Sequence, residues 1–372
     1  MPKLIIYNDR WCSGGVEALW SNLLHFFSDN TLNIILLVGQ KETDIYDNLL
    51  QQKNIKMIVI NEKPIINPIK RSLKIKKSFR EILCNERPNI LHINVCNAIG
   101  LLYASIAKKA KIPCVIVHSH NTRIEHDKFK LKSMAHKAMR LLYKNCPDYK
   151  FACSTEAGKF LFGNNSEFIL IKNGVNLTRF QFDEEIRNSF RRQNGIDKNM
   201  KVFCHVGRFA EQKNHKYLIK LFSAIAYKDS NSILILVGEG ALKENIYSLV
   251  SELKLNNKVI FIGTTDRPEQ IFFASDYFLL PSLHEGLPVT AVEAQATGIM
   301  CFLADTISKE AKILDSCMFF SLNENVNSVA ETILQTDIIC NRRQVTETME
   351  LNGYSIKDIA NYMCKFYLDK IN

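Results

Sequence analysis

Glu285 and Glu293 stand eight residues apart in the stretch Asp276 to Gly298, DYFLLPSLHEGLPVTAVEAQATG. Apolar Tyr277–Leu280 reads as a short strand, stopped by Pro281-Ser282. The loop that follows holds Glu285, Gly286 and Leu287. Pro288 suits a first helical position, Val289 to Thr297 has helical composition, and Gly298 is placed to cap its end. Such an elbow points unsatisfied backbone N–H groups outward and favours an anion. Carboxylates beside it compete with a phosphate, so they suit neutral hydroxyls. The plainer reading is a structural turn carrying two solvated glutamates.

Arg208 and Lys213 form a second constellation, after the apolar run Lys201–Val206 and Gly207. Gly207 permits close approach, Arg208 offers a planar fork to phosphate oxygens, and Lys213 adds a point charge. Taken singly, either is a surface cation. Placed after a buried strand and upstream of the elbow, they point to a diphosphate. His118 and His120, two residues apart at the end of the apolar run Cys114–Val117, share one strand face. Such a pair can ligate a metal, but no third ligand has suitable spacing, and a lone histidine is ordinarily structural. Gly14-Gly15, between the first strand and its helix, lets a ligand approach the backbone, or is simply a tight turn.

Glu285-Gly286-x-Pro288 with Glu293-Ala294 resembles the signature of family 4 glycosyltransferases of the GT-B fold. Gly207-Arg208 followed by Glu211-Gln212-Lys213-Asn214-His215 is a second match, and Gly238 and Gly240 fit the family's V-G-x-G. Ile171-Lys172-Asn173-Gly174-Val175-Asn176 resembles its I-x-N-G-V-D, with Asn176 in place of Asp. The turns GGVE, HSHN and CSTEAG resemble, more narrowly, the bacterial enzymes that build capsules and exopolysaccharides.

The resemblance implies a retaining hexosyltransferase. It would move a hexose or N-acetylhexosamine from a nucleoside diphosphate sugar, with UDP-sugar as the expected donor. The acceptor would be a growing, lipid-linked surface polysaccharide. It places Glu285 near the sugar hydroxyls and Glu293 on the ribose, with Gly207, Gly286 and Leu287 at the donor. Arg208 and Lys213 would offset charge on the departing diphosphate, so no metal cofactor is expected, and no Asp-x-Asp motif is present. Gly14 and Gly15 would face the cleft near diphosphate and acceptor. Either His118 or His120 would meet the transferring sugar, and His120 is favoured.

These groups need a scaffold that brings loops together. Apolar runs at 4–7, 34–38, 57–60, 90–93, 114–117, 151–153 and 168–171 alternate with helical patterns at 16–27, 72–83, 98–109 and 131–143. Repeated βα units imply doubly wound α/β sheets with ligands at the strands' carboxyl ends. The expectation is two Rossmann-like domains with parallel sheets facing across a cleft. Residues 1–175 form the first, on the acceptor side, and 176–353 bind the nucleotide sugar. A terminal helix, 354–372, packs back onto the first.

The chain has 372 residues, 47% hydrophobic and 23% charged, without an apolar run long enough to span a membrane. Its start reads as a strand and not a signal peptide. Eleven cysteines without paired spacing suggest reduced thiols in the cytoplasm. The net charge of +10 implies an acidic partner. Two basic stretches, Lys70–Arg80 and Lys128 through Lys132 to Lys144, are solvated helix faces or a contact with an anionic membrane surface. Nucleic acid is not expected, since aromatic interleaving is sparse. Two rivals remain: a sugar-nucleotide epimerase on the same fold, and a basic membrane- or nucleic-acid-binding protein with a degenerate site.

Overall fold

The computed structural model describes residues 1–12, 14–27, 31–62, 68–124, 130–337 and 342–371. Lys128 and Phe129 of the basic stretches above lie outside them. The chain forms two compact units, Met1–Asn173 with Ile356–Asn372, and Gly174–Ser355.

The first unit holds strands β1 (Lys3–Trp11), β2 (Asn33–Lys41), β3 (Lys56–Asn61), β4 (Ile90–Val95), β5 (Cys114–Ser119), β6 (Tyr149–Ala152) and β7 (Ile169–Leu170). They make one sheet in the order β3-β2-β1-β4-β5-β6-β7, every pair parallel. Alternation along β1 divides its apolar side chains between two faces. Leu4 and Ile6 pack with Trp20 and Leu23 of the helix Gly15–Phe26 and with Met363 and Tyr367 of the helix Ile356–Asp369. Ile5 and Tyr7 pack with Phe79, Leu101 and Tyr103 of the helices Pro68–Glu86 and Ile99–Lys109. With both faces covered, β4 and β5 are buried at every position, and their sequences are correspondingly near-continuous apolar runs. β7 departs from its expected extent. It is a two-residue edge strand with Leu170 half exposed, and a short edge presents few unpaired backbone groups.

The second unit holds β8 (Lys201–Val206), β9 (Ser232–Val237), β10 (Val259–Gly263), β11 (Tyr277–Leu280), β12 (Met300–Ala304) and β13 (Cys317–Phe320). Their order is β10-β9-β8-β11-β12-β13, again parallel throughout. One apolar core joins both faces. The winding reverses between β8 and β11, and between β1 and β4 in the first unit. Loops leaving adjacent strands diverge at such a reversal, and the crevice at their carboxyl ends is where doubly wound sheets take ligands.

Candidate active site

In the second unit the reversal gathers the charged residues. Arg208 and Lys213 follow β8, and Glu285 follows its neighbour β11. The two loops are tied backbone to backbone. Leu283 N–H donates to Gln212 O at 2.8 Å, and the Gln212 amide donates to His284 O at 2.9 Å. Lys213 Nζ then lies 2.7 Å from Glu285 Oε1, an ion pair and not an aligned hydrogen bond. Arg208 is exposed and unpaired among the described residues.

Gly207 and Gly238 have an internal role. A Cβ on Gly207 would meet His205 Nε2 at 3.0 Å and the Lys213 stem at 3.3 Å. A Cβ on Gly238, whose φ is +138°, would sit 2.2 Å from the Gly207 carbonyl oxygen. The glycines therefore let two strand-end loops press together.

The elbow after β11 enters the helix Val289–Ala296. Pro288 is its N-cap, one position earlier than expected, because its ψ of 121° is still extended. No side chain caps this end. Gly298, at φ +69°, follows the helix as its left-handed stop. Gly286 and Leu287 are buried, and the Leu287 side chain belongs to the core.

Glu293, one turn into this helix, is not a solvated glutamate. It is buried and has no hydrogen-bond partner among the described residues. Burial pushes its carboxyl up to about 8, against a downward pull from Arg179 and a further push from Glu269. Arg179 cannot neutralise it, because its Nε and Nη2 donate to Glu269 Oε2 at 3.0 and 2.8 Å. Burial thus favours its neutral acid form, which repels a phosphate at the helix start less than a carboxylate would.

The first unit gathers neutral groups instead. Asn8, at the carboxyl-terminal half of β1, accepts from the Asn94 amide of β4 at 2.8 Å. Asn94 Oδ1 accepts from His120 Nε2 at 2.9 Å. The His118 and His120 rings lie 4.0 Å apart. His118 Nδ1 meets His92 Nε2 at 3.3 Å, and His92 Nδ1 meets the Tyr367 hydroxyl at 2.9 Å. Burial lowers all three imidazoles, His120 to about 3. His118 is fully buried, which corrects its reading as a group that touches sugar. His120 is only half-buried, beyond the end of β5.

At the Gly14-Gly15 turn, the buried Glu17 carboxylate lies 2.4 Å from where a Cβ of Gly14 would go. Asn8, His92, Asn94 and Tyr367 escape sequence inspection. Their signal is polar residues interrupting otherwise apolar strands and a terminal amphipathic helix. Among the described residues no three His, Cys, Asp or Glu side chains cluster as metal ligands.

Comparison with known proteins bears on this arrangement. The sequence profile of the family Glycosyl transferases group 1 matches residues 186–336, the span that carries Arg208, Lys213, Glu285 and Glu293. Residues 186–336 thus carry the group 1 glycosyltransferase profile, and the chain has the GT-B fold. The chain is 27% identical over 364 residues to EpsF of Bacillus subtilis, a protein named only provisionally as a glycosyltransferase, with 95% of this chain and 93% of that one aligned. It is also 27% identical over 312 residues to an Escherichia coli UDP-Gal:alpha-D-GlcNAc-diphosphoundecaprenol alpha-1,3-galactosyltransferase, covering 81% of this chain and 80% of the other. Among solved structures, Anabaena HepE in complex with UDP-glucose superposes with a TM-score of 0.78 at 16% identity, covering 99% of this chain and all of that one, a likeness of fold.

Proposed function

We propose that the enzyme transfers a hexose or N-acetylhexosamine from a UDP-sugar to a growing, lipid-linked surface polysaccharide, with retention. It would work in the cytoplasm, at the inner face of the cell membrane. One observation carries this reading: an arginine and a buried carboxyl without partners among the described residues, and a Lys–Glu pair, at the carboxyl ends of two adjacent parallel strands. A nucleoside diphosphate supplies what each lacks. Its phosphates take Arg208 and Lys213, and its ribose hydroxyls take Glu293. The kinds of donor and acceptor named for HepE and for the E. coli relative support UDP and a lipid diphosphate.

In this reading the bond between the sugar C1 and the β-phosphate oxygen breaks, and its electron pair leaves on the diphosphate. Arg208, Lys213 and the uncapped start of the helix Val289–Ala296 stabilise that charge. Glu285 is held by Lys213 and orients sugar hydroxyls. His120 contributes a neutral hydrogen bond to the sugar. The acceptor hydroxyl bonds to C1 on the same face, and its proton passes to the leaving phosphate. Protein cations do the work of a metal, so a chelator should leave the rate intact.

The test is product analysis with UDP-glucose, UDP-galactose and their N-acetyl counterparts, with a lipid diphosphate glycan as acceptor. Free UDP and an α-linked product support the reading. An isomerised UDP-sugar and no glycosylated product would assign the site to an epimerase.

A further inference from the structure

The loop Gly207–Lys213 rests on an aromatic stack that contains two histidines. Phe209 stacks on His215 with ring centroids 4.2 Å apart, His215 meets His205 edge-on at 4.7 Å, and His205 lies parallel to Phe278 at 6.4 Å. All four are buried, His205 to 0% and His215 to 1% exposure. The loop touches this stack at two points. Phe209, the residue after Arg208, is itself one of the rings. Gly207 abuts the edge of His205, where an added Cβ would lie 3.0 Å from Nε2 and 3.3 Å from Cδ and Cε of Lys213. His205 Nε2 and the Lys213 stem therefore share the space that a side chain at 207 would take.

An apolar ring would fill the position of His205 equally well, and what the imidazole adds is polar. The register of β8 with β11 ends at Cys204 and Phe278, and just beyond it His205 Nδ1 lies 2.8 Å from Leu279 O. A carbonyl oxygen only accepts, so Nδ1 carries the proton and donates it. This bond ties the strand that leads to Arg208 and Lys213 to the strand that leads to Glu285. It also fixes the tautomer, and Nε2 is left as a bare acceptor, buried and without a partner among the described residues. The negative end of the ring dipole thus lies beside the lysine, in surroundings that screen it little. Burial and then the Lys213 charge lower His215 to about 4, and burial above all lowers His205, so the stack adds no positive charge beneath the two cations.

We propose that His205 is a positioning residue for the diphosphate cations: its Nδ1–H ties their loop to the strand of the elbow, and its bare Nε2 attracts the Lys213 ammonium. Lys213 also pairs with Glu285 at 2.7 Å, and Glu285 is shared with the sugar in the functional reading, so a second attraction keeps the lysine in place when the sugar takes the carboxylate. The proposal rests on that reading for the role of Arg208 and Lys213.

Two measurements test it: UDP titration of the wild type, His205→Phe, His205→Asn, Lys213→Ala and the double variants, and the imidazole nitrogen resonances of histidine-labelled protein. His205→Phe keeps a ring without either nitrogen and should weaken UDP by about tenfold, and His205→Asn, which keeps a donor for Leu279 O but no lone pair, by about threefold. In a Lys213→Ala background neither should cost more than about twofold, because the effect acts through the lysine. The His205 signals, assigned by their loss in His205→Asn, should show the proton on Nδ1 and an Nε2 resonance that moves in Lys213→Ala. Unaltered UDP binding by folded His205→Phe, or losses as large without Lys213 as with it, would leave His205 a packing role only and overturn the proposal. Should His205→Phe not fold, binding by His205→Asn equal to that of the wild type overturns it. A proton on Nε2 overturns it whatever UDP does. A wild type that binds no UDP but shows the Nδ1 proton and the Lys213-dependent resonance would keep His205 as the partner of Lys213 and strike the functional reading instead.

Discussion

The two units solve one topological problem with opposite chemistry. Each has a parallel sheet whose winding reverses beside its first strand, and each gathers polar groups towards the strand carboxyl ends. In the first unit those groups are neutral: Asn8, Asn94 and three imidazoles kept uncharged by burial. In the second they include an arginine unpaired among the described residues, an ion pair and a carboxyl whose proton burial favours. The difference teaches which unit is built for charge. Neutral groups at fixed hydrogen-bond distances discriminate hydroxyls; cations at a reversal compensate phosphates.

Arg208→Ala strikes the charged end hardest. It should lower kcat/KM for the donor by about 10²–10³, the scale of removing one stabilising donor to developing charge. Turnover close to wild type would remove Arg208 from the mechanism.

Glu293 gives the next effect, in stability. Its ordinary value is 4.5 and its folded value about 8, so the folded state keeps a proton that the unfolded chain has lost. Stability therefore falls as pH rises through that window, by about 1.4 kcal/mol per unit of displacement. Glu293→Gln should flatten the fall, measured by urea unfolding at pH 5 and pH 8. Equal slopes in the two proteins would mean that Glu293 ionises normally.

The Lys213–Glu285 pair should behave as one element. Lys213→Ala and Glu285→Ala should each lower kcat/KM, and the double variant should be less damaged than the sum, with a coupling of roughly 0.5–3 kcal/mol. Strict additivity would show that the 2.7 Å contact carries no function.

The smallest effect belongs to the neutral end. His120→Ala should cost about tenfold in kcat, one hydrogen bond's worth, with little change in UDP affinity. Since His120 sits near 3, the rate of the wild type should show no histidine limb between about pH 5.5 and 8. A limb near 6.5 that vanishes in His120→Ala would make it an acid or base.

Much of this was legible in the sequence. Fully buried parallel strands have no water-facing side, so β4 and β5 read as apolar runs interrupted only by His92, Asn94, His118 and Ser119. The cations after β8 and the carboxylates around the elbow stand out by type and spacing. Their meeting does not, because the contact of Lys213 with Glu285 depends on β8 lying beside β11, and periodicity within a strand says nothing of its neighbour. The same blindness hides His92. Its partners, His118 and Tyr367, come from another strand and from the terminal helix. The helix Leu131–Tyr143 was readable as an amphipathic pattern, but which side faces in is decided by His136 and Arg140 reaching Phe160. That the Leu287 side chain packs into the core is likewise not told by its place in the motif.

The most direct measurement is calorimetric titration of UDP into wild type, Arg208→Ala and His120→Ala, with a chelator present. The account predicts that wild type and His120→Ala bind alike without metal and that Arg208→Ala binds about a hundredfold more weakly. No UDP binding by the wild type, or equal binding by Arg208→Ala, would contradict the assignment of the second unit's charged reversal to the nucleotide diphosphate.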